Sequence, residues 1–350
     1  MTQEFNPLLD FARKVECSVR LPSNGSWYDE DVISFNALNE VNIMPMLPND
    51  EMTIVNPETL ISGDSIIKVI KSCCPGIKNP AELYYPDVNA ILLGIKKATY
   101  GDELIQQYIC PKCWSKKNDI IAKELVRLIK ERYPMGDVEL SIEETKELEK
   151  LADVNMQSTI TEMERNGDLC IAPQEVKCSI DSILSQMTYL PSHSVVELKN
   201  GLKVYTTPYK CNDKIKFINK QIKYQKMLKY IEESKNKLGN ITELTEEYVN
   251  TIQSVSDMYK EIGNLTMNII ASSIKKVETP NKDVVTNYDF ICEFLKRVDV
   301  ESVKAIRESI DKLNECGIPT TIPCECQCCG HTWDERFYGF NQNDFFGISS

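Results

Sequence analysis

Two short stretches decide how this chain is read: Cys110-Pro111-Lys112-Cys113-Trp114 and Cys326-Gln327-Cys328-Cys329-Gly330-His331. Each contains a C-x-x-C. Two sulfurs three positions apart in a tight turn converge on one ion, and two such turns make a tetrahedral four-thiolate site. A glycine after the second pair permits the turn and frees backbone N–H groups to bond the sulfurs. Cys110, Cys113, Cys326 and Cys329 are therefore the expected metal ligands, with structural zinc as the cofactor. Cys324, Cys328 and His331 lie within reach as substitutes. The pair Cys326 and Cys329 is preferred because it alone has the C-x-x-C-Gly form. A closed four-thiolate site leaves no coordination position for water, so its role is folding, not hydrolysis.

The two pairs are far apart. Cys113 and Cys326 are 213 positions apart, against about 15–20 in a compact zinc ribbon. Loop-closure entropy grows only logarithmically with length, so a long insertion that folds on its own still lets the pairs meet. Two other readings compete with the zinc site. One is a set of ordinary reduced thiols. The other is a redox pair, which lacks the thioredoxin-like strand-to-helix context.

Outward from these stretches, the pattern predicts an α+β fold in four segments. Residues 1–117 form a small mixed N-terminal module carrying the first knuckle. Within it, 16–20 reads as a strand running into the Pro22 and Asn24-Gly25 turn, and 41–46 as a second extended run. Asp64 is a candidate N-cap for a helix over 65–72. Val88, Ile91, Leu92 and Ile95 mark one face of a helix entered through Pro86. Residues 118–211 supply connecting helices, an acidic solvated stretch and a hairpin over 192–207. There the Asn200-Gly201 pair suggests a type I′ turn. Residues 212–315 carry three stripes at helical period (Ile215, Ile218 and Ile222; Ile252, Val255, Tyr259 and Ile262; Val303, Ile306, Ile310 and Leu313), read as a helical bundle insertion. Residues 316–350 hold the second knuckle and an aromatic tail, expected to pack back on the N-terminal module or to dock into a partner.

Composition bounds the function. The chain of 350 residues has 40 Lys and Arg against 52 Asp and Glu, a net charge of −12, which disfavours nucleic acid or an anionic membrane as a bulk-charge partner. The Lys-rich stretch 214–229 is the local exception, read first as the solvated face of a helix. No apolar run approaches the roughly 20 residues of a membrane helix. The N-terminus lacks a basic region followed by an apolar one, so secretion is not expected. With 14 cysteines and no such signal, reduced thiols are expected rather than a disulfide framework. There is no P-loop, dinucleotide fingerprint, H-E-x-x-H or G-x-S-x-G, and His193 has no evident nucleophile beside it; no catalytic residue and no enzymatic activity is expected.

A further set of residues carries a resemblance. Leu21-Pro22-Ser23-Asn24-Gly25 is followed by Tyr28, by Met44-Pro45-Met46 with Asp50-Glu51, by Asn56-Pro57, and by Leu60 with Ser62-Gly63. Asp87 then precedes the apolar helix ILLGIKKATYG, and Cys110-Pro111-Lys112-Cys113 follows. This order, over about residues 16–115, resembles the baseplate hub proteins and baseplate hub assembly chaperones of T-even-type contractile-tailed bacteriophages. Asp87 stands where that family often has Asp, and Lys96-Lys97 where it often has Arg. The resemblance implies a phage tail protein that works through other tail and baseplate proteins. It would be found in the host cytoplasm during assembly or in the virion. The helical block 212–312 has no counterpart in it. A zinc-ribbon nucleic-acid-binding protein is the alternative, drawn from the two knuckles and the Lys/Tyr helix.

Overall fold

A computed structural model describes residues 13–55, 64–134, 140–238 and 246–336. The fold is α+β, with ten helices and ten short strands among the described residues. The chain divides into two compact units. The first comprises residues up to Asp102 together with Ile180–Pro319, and the second comprises Glu103–Ser179 together with Thr320–Tyr338. This departs from the four expected segments. The first knuckle is not part of the unit that holds residues 13–102, and the C-terminal knuckle shares a unit with residues 103–179. The aromatic tail from Phe337 onward, like Asn56-Pro57 and Ser62-Gly63, lies outside the described residues.

In the first unit, strands β1 (Cys17–Val19) and β2 (Val41–Ile43) pair antiparallel. Helices α1 (Pro48–Val55) and α2 (Asp64–Cys73) precede α3 (Tyr85–Tyr100), whose first turn holds Pro86. The sequence marks one apolar face on α3, but Ala90, Leu93 and Gly94 on its other sides are as buried as Ile91 and Ile95. Gly94 is the reason α3 can lie so close to the strands. A methyl group there would sit 2.3 Å from Ile43 Cδ1 and 2.6 Å from Val19 Cγ2. Gly94→Ala is expected to destabilise this unit by about 1–3 kcal/mol through overpacking, measured as a lowered thermal midpoint; an unchanged midpoint would mean that the contact yields freely.

One buried carboxylate ties the N-terminal turn to α3. Asp87 is fully buried; its Oδ1 accepts from the Ser23 backbone N–H (2.9 Å) and its Oδ2 from the Tyr28 hydroxyl (2.6 Å). The Tyr28 oxygen in turn accepts from the Tyr84 N–H at 2.7 Å. Asn24 and Gly25 both take positive φ, 49° and 75°, which swings the turn so that Ser23 faces the helix.

The rest of the first unit is built on a four-stranded antiparallel sheet in the order β5 (Ser194–Glu197), β6 (Lys203–Thr206), β7 (Ile274–Glu278), β8 (Val284–Val285). A short helix, α6 (Ile180–Ser185), leads into it. The expected hairpin over 192–207 is β5–β6, but its turn differs from expectation. Gly201 has φ 82° while Asn200 is not left-handed, and Gly201 N–H bonds Leu198 O, giving a three-residue connection with glycine at the bulge position instead of a type I′ turn.

The expected helical bundle is also corrected. Helices α7 (Cys211–Leu238) and α8 (Glu246–Ser272) do form a pair, joined by a Lys220–Glu261 ion pair and a Tyr224–Tyr259 ring contact. The chain then enters β7 instead of another helix. Helices α9 (Tyr288–Arg297) and α10 (Val300–Asn314) cover the sheet, burying Ile291, Leu295, Ile306 and Ile310 against Val204, Ile274 and Val277. No described helix is long and apolar enough to cross a membrane.

Candidate metal centre

The second unit is small. Strand β3 (Glu103–Tyr108) pairs antiparallel with β4 (Gln174–Ser179), and helices α4 (Pro111–Arg132) and α5 (Ile142–Arg165) form a hairpin between them in sequence. The acidic stretch is the start of α5, where Ser141 and Glu144 form a reciprocal capping box. Glu124 on α4 is buried against α5. Arg127 first, then Asn155, bonds its carboxylate and holds it at about 2, far below the usual range. Strands β9 (Thr321–Glu325) and β10 (Thr332–Arg336) add a second antiparallel hairpin.

The unit's buried cluster consists of Cys110, Cys113, Cys326, Ile160 and Leu169, with Ile121, Met156, Cys170, Cys329 and Trp333 packed against it. Three of its five innermost residues are thus thiols. Cys110 follows β3 closely and is the N-cap of α4 with Pro111 in the first turn. Contrary to expectation, the first pair does have a strand-to-helix context, and both its sulfurs sit at the positive end of a helix, which favours thiolate. Cys326 leaves β9. Its N–H bonds His331 O and its carbonyl accepts from Gly330 N–H, closing a turn in which Gly330 takes φ 63°. A Cβ at Gly330 would meet nothing within 4 Å. That glycine is therefore needed for its backbone conformation and not for space.

The four sulfurs come together. Their ligand atoms all lie within 4.8 Å of one another, with Cys110 Sγ to Cys329 Sγ at 3.8 Å and Cys113 Sγ to Cys326 Sγ at 3.9 Å. Sulfurs at tetrahedral corners about 2.3 Å from an ion would be about 3.8 Å apart. The donor set and spacing are compatible with a closed metal site. Among the alternatives, Cys328 packs against the cluster and its thiol interacts with Cys113, but it is not one of the four mutually close sulfurs. Cys324 points its thiol to Ile322 O, Cys328 to Gly167 O, and His331 stacks on Trp333 with centroids 5.9 Å apart.

The electrostatics show how the cluster behaves as bare thiols. Burial pushes Cys110 and Cys113 up. Burial opposes charge at Cys326 as well, yet N–H groups of Cys329 and Cys328 and the neighbouring thiols bring it down to about 6.

Sequence reasoning missed a third contributor, the loop between α5 and β4. Leu169 is buried in the cluster, the Cys170 N–H draws the Cys113 thiol down against the effect of burial, and Lys116 Nζ donates to Asp168 O at 3.0 Å. The Gln174 side-chain amide reaches Cys326 Sγ at 3.6 Å and also bonds Cys170 Sγ. Cys170 alone hinted at this, and an isolated cysteine reads as an ordinary core thiol.

No protein-family model matches the chain, and comparisons with curated proteins and solved structures find no match.

Proposed function

We propose that this chain is a non-enzymatic phage tail protein, a baseplate hub subunit or hub assembly chaperone of the T-even type, and that its four-cysteine centre holds one structural zinc ion. The observation that carries the tail reading is the company kept by Asp87. The residues on which the resemblance rests, the Leu21–Gly25 turn, Tyr28 and Asp87, share one buried hydrogen-bond network. In this reading they are the frame of the module and not a reaction site. Zinc is supported by the all-thiolate donor set and its spacing. Bound there, zinc would neutralise the thiolates and fix α4 to the β9–β10 turn, with no position left open for substrate. Its partners would be other baseplate proteins, met in the host cytoplasm or retained in the virion.

The tagged chain, co-expressed with the hub and tape-measure proteins of a T-even-type phage, is expected to capture at least one of them. Failure to bind any tail component, with normal tails assembled in its absence, would overturn the tail reading.

One observation favours the zinc-ribbon nucleic-acid reading. Trp114, beside the first cysteine pair, is exposed, and Lys117 Nζ lies 4.8 Å from its ring centroid. A stacking platform beside a cation is what single-stranded nucleic acid uses. Salt-dependent micromolar binding of a single-stranded oligonucleotide, lost in Trp114→Ala, would favour that reading over the tail reading.

A further inference from the structure

Resting on the metal-centre reading, we infer that Gln174 is a positioning residue for the bound ion, and that the loop ending at Gln174 governs how firmly the metal is held. The two C-x-x-C turns supply all four sulfurs, but not all the groups that satisfy them. The Gln174 amide nitrogen lies 3.6 Å from Cys326 Sγ, and the same nitrogen bonds the thiol of Cys170. The backbone N–H of Cys170 in turn acts on the Cys113 thiol against the upward push of burial. One residue of each cysteine pair is therefore served from this loop, by donors lying outside both C-x-x-C motifs.

The loop is also held by contacts that do not involve the four ligand sulfurs. Leu169 is buried, Lys116 on α4 holds the Asp168 carbonyl, and the Cys328 thiol donates to the Gly167 carbonyl. Gln174 is itself the first residue of β4, paired with Tyr108. Its backbone is fixed by the sheet, so the side chain can be changed without removing the strand. A thiolate that accepts an N–H bond carries less free charge, is a weaker target for protons and oxidants, and is held in one orientation. Removing such an outer partner typically costs about 10–100-fold in metal affinity.

The test uses the full chain and the metal alone. Gln174→Met keeps length and apolar volume but cannot donate; Gln174→Asn and the wild type complete the set. Each is loaded with Zn²⁺, and release to excess chelator is timed with a chromogenic zinc indicator. Each is then loaded with Co²⁺ for its thiolate-to-cobalt absorption bands. Gln174→Met is expected to release zinc about 10-fold or more faster, with its charge-transfer bands moved to lower energy because an unbonded thiolate is more easily oxidised. Gln174→Asn should recover part of both effects. Circular dichroism must show that the Gln174→Met chain retains its helix content. A folded Gln174→Met protein with wild-type release and unshifted cobalt bands would overturn the assignment of Gln174 while leaving the metal centre intact. A wild-type chain that takes up neither ion would overturn the metal centre and this inference with it.

Discussion

Replacing any one of Cys110, Cys113, Cys326 or Cys329 with alanine, or stripping the wild-type chain with a chelator, is expected to unfold the second unit while the first stays folded. The reason lies in what each unit has for a core. The second unit's cluster around the thiols has five innermost residues, and Cys110, Cys113 and Cys326 are three of them. The larger of the unit's other buried apolar side chains among the described residues, Leu104, Leu148, Ile160, Leu169 and Ile322, contribute about 1.5–3 kcal/mol each on burial, against roughly 1–2 kcal/mol of backbone entropy for every residue ordered. A structural zinc in a four-ligand site contributes an apparent 10–16 kcal/mol or so at neutral pH. The first unit holds a sheet core around Val204, Ile274, Ile306 and Ile310, and α3 is buried on all sides. It has no stake in the ion. Hydrogen exchange resolved by peptide would show the pattern: on metal removal, 103–134, 140–179 and 320–336 lose protection, while 85–100 and 194–206 keep theirs. Cys324→Ser, a buried cysteine outside the site, serves as control and should leave metal content at one ion per chain. Full protection of the second unit in metal-free protein would refute the argument.

The second large effect concerns Asp87. Asp87→Ala leaves the Ser23 N–H and the Tyr28 hydroxyl without their acceptor inside the protein, and loosens the Tyr28 oxygen that receives the Tyr84 N–H. Two buried donors orphaned at once are expected to cost the first unit about 3–5 kcal/mol, seen as a lowered denaturation midpoint. The pH dependence has a definite sign. Burial is the largest influence on the Asp87 carboxyl and raises it from 3.8 to about 6, although the bonds from Tyr28 and Ser23 pull the other way. The folded state therefore binds a proton more tightly than the unfolded chain. The stability this contributes is fully present below the unfolded value and is lost as pH rises through about 6. Asp87→Asn cannot titrate. The stability of wild type minus that of Asp87→Asn should fall as pH goes from about 4 to about 7. A difference that rises over this window would show that the carboxylate is stabilised as an anion, and a flat one that folding leaves its proton affinity unchanged.

How much of this was legible in the sequence depends on what kind of signal each feature leaves. Cysteine spacing is chemistry written locally, so the four ligands could be named even across a 213-position gap. Alternation around Asn200-Gly201 marked a hairpin. The turn type was misread because glycine alone takes the left-handed conformation there, while Asn200 stays in ordinary space. On α3, a full wrap of neighbours buries residues that a one-face pattern leaves for solvent, and only Gly94 hinted at so close a contact. Strand β7 lies inside the block expected to be a helical bundle, between the stripes that carry that expectation. Its pairing with Val204 and Tyr205 is fixed by a hairpin 70 residues away in the chain. The Leu169–Gln174 loop leaves little sequence signal beyond Cys170, since its donors are a backbone N–H and one amide whose importance comes only from what they face.

The division of the second unit between two distant chain segments also sets a clock. Cys110 and Cys113 emerge during synthesis long before Cys326, and at about 5–20 residues per second the ribosome needs roughly ten to forty seconds to make the stretch between them. Through that interval the first pair has no partner pair, the α4–α5 hairpin has no completed core, and two thiols at the start of a helix are exposed to any oxidant or passing metal. The first unit's own segment, Ile180–Pro319, is made during this same wait. On the zinc reading, the site can close only after Cys329 has been made, by which point Ile180–Pro319 of the first unit has already been synthesised.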